Sequence, residues 1–147
     1  MSSVREELVK MLNRGLELEY AARIQYLAHA ELLKGIYAEP VIERLKEIAS
    51  DEQKHEDKFR TLIAGYLNGI PSMSLAAVHE AKTEKEILSV NLKGETEAID
   101  YYKKIYQFAS DNKKEFQYSY EKIEHELRHI IMDEEEHVIE LSLLLGQ

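Results

Sequence analysis

The chain has 147 residues, 44% apolar and 32% charged, enough for one globular domain with a sizeable core. It contains no cysteine, which excludes disulfides, thiolate metal sites and rubredoxin-type iron centres. A net charge of −9, from 19 basic and 28 acidic residues, argues against nucleic acid and anionic membranes and favours cationic ligands.

Four helical stretches are predicted in chain order. The first opens at a capping box, Ser3-x-x-Glu6, and is expected to end near Gly35, a natural residue just past a helix C-terminus. The second has Pro40 in its first turn and runs to about Asn68, stopped by Gly69 and Pro71. The third opens at Thr83-x-x-Glu86 and ends by about Asp111. The fourth, with Asn112 and Glu115 as its candidate cap, runs nearly to Gly146. No strand-type alternation competes with this all-α reading. No stretch approaches the ~20 apolar residues of a membrane span. The segment from Met1 to Glu7 lacks the apolar run of a leader peptide, so the expected address is the cytoplasm.

The links set the topology. Short links between the first and second stretches, and between the third and fourth, make two antiparallel hairpins. The link over 69–82, extended at ~3.3 Å per residue, covers about 46 Å. The third stretch, at a rise of about 1.5 Å per residue, is about 43 Å long. The link therefore runs the length of a bundle, which makes the second and third stretches parallel: a four-helix bundle with one long crossover.

Heptad spacing places acids on the seam that should be apolar. Leu8, Leu12, Gly15, Glu19, Ala22, Tyr26, His29 and Leu33 share one face of the first stretch. Val41, Leu45, Ile48, Glu52, His55, Phe59 and Leu62 share one face of the second. Leu88, Asn91, Glu95, Ala98, Tyr102, Ile105 and Ala109 do so in the third, and Ile123, Leu127, Ile130, Glu134, His137, Leu141 and Leu144 in the fourth. The second hairpin repeats the first: Glu19-x-x-Ala22-x-x-x-Tyr26 recurs as Glu95-x-x-Ala98-x-x-x-Tyr102, and Glu52-x-x-His55 as Glu134-x-x-His137. Buried carboxylates cost several kcal/mol unless paired or metal-bound.

Four carboxylates and two imidazoles match a site for two divalent ions, whose charge the four acids balance. Oxygen and imidazole donors suit iron or manganese. Each His is expected to bind one ion, with Glu52 and Glu134 bridging and catalytic, and Glu19 and Glu95 terminal. Asp51 and Asp133 are candidates to accept from the ligand imidazoles in a crossed pattern, Asp51 to His137 and Asp133 to His55. Tyr26 and Tyr102 either hydrogen-bond ligand carboxylates, relay electrons or serve core packing. His29 reads as a satisfied core histidine, while His79, His125 and His129 show no partner pattern. The bland alternative is a buried Glu–His ion-pair network without metal; one Glu-x-x-His supports little, and two with level partner acids support the metal reading.

These residues resemble the ferritin-like superfamily, and bacterioferritin most of all. The resemblance spans the whole chain. It rests on Glu19, Gln25-Tyr26, His29-Ala30, Asp51-Glu52-x-x-His55, Leu67-x-Gly69-x-Pro71, Glu95 and Asp133-Glu134-Glu135-x-His137. It implies a ferritin-like fold over 1–147, two iron ions per chain, Fe(II) with O2 or H2O2 as reactants, and a homo-oligomer of at least two chains. Gln53 stands where haem-binding bacterioferritins carry an axial Met, so no haem is expected. The chain ends at Gln147 without the short fifth helix of cage-forming members. A second apolar stripe, Leu16, Tyr20, Ile24 and Leu27, points to a subunit interface. Rubrerythrin-like peroxidases share the ligand set, which leaves a peroxidase with a separate electron donor as the alternative activity. A manganese catalase-like centre and a non-catalytic metal-binding protein are the remaining readings.

Overall fold

The computed structural model describes residues 2–147; Met1, part of the segment read for a leader, lies outside them. Four long helices make up the fold: α1 (Val4–Ala30), α2 (Ala38–Arg60), α3 (Glu84–Asp111) and α4 (Tyr120–Leu145). The described residues contain no strand. Among the described residues, no helix is long and apolar enough to cross a membrane.

The capping signals act at two of the four starts. Ser3 Oγ accepts from Glu6 N at 3.1 Å and Thr83 Oγ1 from Glu86 N at 3.1 Å, each satisfying an otherwise orphaned first-turn donor. Elsewhere the boundaries move. α1 stops at Ala30, before Gly35; the chain turns over Glu31–Lys34, and Gly35 takes its positive φ of 109° one turn later. α2 passes into a π-helical turn over Thr61–Tyr66, closed by Leu67 N to Leu62 O at 3.0 Å. Asn68, at a φ of 57°, then reverses the chain. Gly69 follows because a Cβ there would lie 2.7 Å from Val9 Cγ1. Asn112 does not cap α4: its side chain donates to Phe108 O at 2.8 Å and closes α3. A 3-10 turn over Lys113–Phe116 intervenes, held by the buried Phe116 ring, so α4 begins only at Tyr120.

Residue pairs across the helices give their directions. Glu19 meets Tyr102 and Tyr26 meets Glu95, so α1 and α3 are antiparallel. Arg44 meets Glu140 and Lys58 meets Glu126, so α2 and α4 are antiparallel. With both hairpins antiparallel, α2 and α3 run parallel, as the long link requires. That link lies along α1: Asn13 donates to Ile70 O, Tyr20 to Ser72 O and Ala76 N to Glu17 O, and His79 N donates to Gln25 Oε1. Its extended backbone is thus paired to α1 side chains and carbonyls rather than left bare.

The core is divided in two. One cluster gathers Leu8, Leu12, Leu16, Phe59, Leu62, Tyr102, Ile105, Phe116 and Leu127. The other gathers Tyr26, Leu33, Val41, Leu45, Ile48, Ile87, Leu88 and Leu141. Between them lies a polar layer, to which every helix contributes.

Candidate metal centre

Six buried ionisable side chains meet in that layer: Glu19 from α1, Glu52 and His55 from α2, Glu95 from α3, Glu134 and His137 from α4, none more than 3% exposed. They fall into two overlapping sets. In one, Glu19, Glu52, His55 and Glu134 bring ligand atoms within 4.8 Å of one another; in the other, Glu52, Glu95, Glu134 and His137 do so. Glu52 and Glu134 belong to both. The two imidazole rings stand 6.3 Å apart, with these shared carboxylates between them.

The flanking groups follow the same two-fold pattern. Asp133 Oδ2 lies 2.8 Å from His55 Nε2, and Asp51 Oδ2 lies 2.9 Å from His137 Nε2. A carboxylate only accepts, so each Nε2 carries the proton and each Nδ1 faces the centre. Tyr26 Oη donates to Glu95 Oε1 at 2.6 Å, and Tyr102 Oη to Glu19 Oε1 at 2.8 Å. Both tyrosines are fully enclosed and span the hairpins, each holding the other hairpin's carboxylate as well as filling core.

Each of the six residues has one atom with no hydrogen-bond partner: Glu19 Oε2, Glu52 Oε1, His55 Nδ1, Glu95 Oε2, Glu134 Oε1 and His137 Nδ1. Buried polar atoms are nearly always satisfied, so six orphans converging on one layer fit a missing electrophile. The donor set, oxygen-rich with one imidazole per set, fits two divalent ions of the iron or manganese kind.

The electrostatics without metal point the same way. Burial pushes the Glu19, Glu52 and Glu95 carboxyls up, and the neighbouring Glu134 charge adds to it. Burial also opposes the Glu134 charge, but His137 and His55 outweigh it and hold that carboxyl well below the usual range. Burial disfavours the His137 imidazolium, yet Glu134 and Glu95 push it up to about 11. His55 is raised likewise: Glu19, Asp133 and Glu134 overcome its burial. Protons thus occupy the places that metal ions would take.

A neighbouring acid stands apart. Glu56 is 3% exposed and follows His55, but Arg23 and Arg60 pair with it, so its charge is neutralised outside the layer. Sequence reasoning gave no role to Asn91 or to the side chain of Gln25. Asn91 donates to His29 Nδ1 at 3.0 Å and to Ile87 O, and accepts from Gln25 Nε2 at 2.9 Å. His29 Nε2 lies 3.0 Å from His79 O. This closed network ties the crossover to α1 and α3. A buried Asn on the stripe of α3, level with a buried His on that of α1, was the available signal.

A cavity of about 270 Å³ reaches the layer from the α1–α3 face. Glu52, Glu95 and Glu134 form its floor, Ala21, Ala22, Gly94 and Ala98 its walls, and Arg14 and Glu97 part of its rim. Small residues at these positions leave room that larger side chains would fill.

An all-helical bundle with a long crossover and a buried layer of four carboxylates and two imidazoles defines a class, the carboxylate-rich helical bundles with paired ion sites. Residues 9–147 match the ferritin family described as a ferritin-like domain, and the chain belongs to that family. Among solved structures it is similar to a ferritin-like, diiron-carboxylate protein from Bacillus anthracis str. Ames, at 30% identity over 99% of both chains and a TM-score of 0.88. It is also similar to the dodecameric thioferritin of Bacteroides fragilis, a bacterioferritin-related protein, at 25% identity over 97% of this chain and 86% of that one, with a TM-score of 0.83. The bacterioferritin of Rhodobacter capsulatus shares the fold at 23% identity, covering 96% of this chain and 84% of its own, with a TM-score of 0.81. No curated protein matches significantly.

Proposed function

We propose that this chain is a single-domain ferroxidase of the cytoplasm that oxidises Fe(II) with O2 or H2O2 at a paired iron centre. Glu52 and Glu134 would be shared between the two ions, Glu19 and His55 would help hold one of them, and Glu95 and His137 the other. The observation that carries this reading is the pair of overlapping four-residue sets sharing Glu52 and Glu134. Bound there, paired iron supplies the electron-transfer steps by which Fe(II) reduces the oxidant. The chain's own groups do the rest. Asp133 and Asp51 orient the imidazoles and keep Nδ1 free toward the ions. Tyr26 and Tyr102 fix Glu95 and Glu19, and the α1–α3 cavity admits small reactants to Glu52 and Glu134. The diiron-carboxylate relative from Bacillus anthracis supports iron as the metal. The assembly of the Bacteroides fragilis relative supports a homo-oligomer.

A peroxidase fed by a separate donor is the second reading, favoured by one observation. The half-buried Tyr101 ring packs 6.5 Å from Tyr102, giving a route for electrons from the surface to a residue that touches Glu19.

The test is anaerobic loading with Fe(II) followed by O2 or H2O2, with ferric absorbance read by stopped flow. Two irons per chain and oxidation well above the buffer rate are expected. His55→Ala and Glu134→Ala should slow it at least ~100-fold, beyond the range of losing a mere outer-shell partner. Glu43→Ala, an exposed change on α2, should not slow it. A single discharge by peroxide with no further Fe(II) uptake selects the peroxidase; native manganese with no Fe(II) oxidation ends both readings.

A further inference from the structure

His125 and His129 lie outside the buried layer and take no part in the centre described above. A spacing of four on α4 puts both rings on one helix face. The ring centroids are 4.3 Å apart and the planes tilted by 35°, so the two imidazoles lie side by side at the surface. His125 is exposed and His129 half-buried, so solvent ions reach the pair.

The surroundings favour a cation. Nearby positive side chains are already paired: Lys122 with Glu126 at 2.9 Å, Arg128 with Glu124 at 2.8 Å, and Lys58 of α2 with Glu126 at 3.5 Å. Carboxylates stand one turn to either side on the same row, Glu121 before His125 and Asp133 after His129. The donor set also differs in kind from the buried one. The layer offers mostly oxygen with one imidazole per ion, whereas this pair offers two imidazoles, which suit the nickel, copper and zinc end of the divalent series.

We propose that His125 and His129 form a surface chelate for a divalent ion of the nickel–copper–zinc class, separate from the buried centre. Electron paramagnetic resonance of copper(II) added to the metal-loaded protein tests it. The buried centre can give a copper ion one nitrogen, and the surface pair gives it two. The expected spectrum shows one copper per chain coupled to two nitrogens. His125→Ala and His129→Ala should each remove the second nitrogen and weaken binding at least ~10-fold, the lower end of what losing an outer-shell partner does. His79→Ala, an exposed change on the crossover, should leave the two-nitrogen signal intact. Coupling to a single nitrogen in the unaltered protein, or a two-nitrogen signal that survives both His125→Ala and His129→Ala, overturns the proposal.

Discussion

The two hairpins agree at the polar layer and part company one turn away from it. Glu19, Tyr26, Asp51, Glu52 and His55 of the first have counterparts in Glu95, Tyr102, Asp133, Glu134 and His137 of the second, and even the crossed hydrogen bonds match. Beyond the layer, Gly15 of α1 corresponds to Asn91 of α3, and His29 to Ile105. At the Gly15 end the packing is against aromatic rings: a Cβ there would meet the Phe59 ring at 2.9 Å and Tyr102 Cε1 at 3.3 Å, and the one polar contact is Tyr102 Oη donating to Gly15 O at 3.3 Å. At the Asn91 end they are polar, and His29 and Gln25 reach the crossover at His79. The crossover runs along α1 past both ends, from Asn13 to Gln25, but it meets the inward stripe only at the His29 end. The repeat is kept where the six ionisable side chains meet and given up where the crossover backbone is anchored to a stripe residue.

The sharpest way to break the symmetry is at Glu52 and Glu134, the acids common to both four-residue sets. Glu134 Oε1 lies 3.2 and 3.3 Å from the two imidazole Nδ1 atoms, and Glu52 Oε1 lies 3.5 and 3.4 Å from them. Against its burial, His137 and His55 hold the Glu134 carboxyl well below its usual range, while burial and the Glu134 charge push the Glu52 carboxyl up. Glu134→Gln should cost the metal-free bundle about 1–3 kcal/mol by removing the carboxylate nearest both imidazole Nδ1 atoms, with Asp133 and Asp51 still holding the Nε2 sides. Glu52→Gln mimics the protonated acid and should cost under ~1 kcal/mol, while both abolish paired-metal binding. Urea unfolding measures this; equal costs would mean the two acids share the proton. The same charges set the pH dependence. Glu19, Glu52, Glu95, His55 and His137 all have raised values, so the folded metal-free state holds protons that the unfolded chain releases. Their contribution is full below the unfolded value of 4.5 for the acids and 6.5 for the histidines. It is lost as pH rises through the folded values, about 11 for His137. Metal-free protein should thus weaken toward alkaline pH, whereas metal binding strengthens there because it releases protons.

Next in size, Asp51→Asn and Asp133→Asn test whether the agreement extends outward. Each changes the acceptor for one imidazole, so metal affinity should fall ~10–100-fold, and by similar factors in the two variants. Competition with a chelator measures it. A loss confined to one variant would show that the halves hold their ions differently.

The smallest effects sharpen the difference at the two ends. Gly15→Ala should destabilise by about 1–3 kcal/mol through overpacking against Phe59, leaving the crossover undisturbed. Asn91→Ala should cost about as much, because the Gln25 amide and the His29 ring lose their partner. Only Asn91→Ala should speed hydrogen exchange at the His79 amide, which donates to Gln25. Equal exchange in the two variants would separate the network from the crossover.

Periodicity alone placed Glu19, Glu52, His55, Glu95, Glu134 and His137 on the inward stripes of four helices, because a helix repeats every 3.6 residues wherever it sits. The direction of the crossover followed from link length, since a chain cannot bridge a bundle with fewer residues than its span requires. The crossed Asp–His pairs were open to inference once the two-fold repeat was seen. Other features had no local signature. The end of α1 at Ala30 depends on where the chain must turn to bring Ala38 onto the core, not on Gly35. Phe116 displaced the start of α4 because its ring is buried against another helix's cluster. The roles of Asn91 and Gln25 arise from contacts between residues more than fifty positions apart. The identity of the inward-facing residues is a property of each helix by itself; which polar atoms find partners, and which six are left without one, is decided only when four helices and the crossover close around one layer.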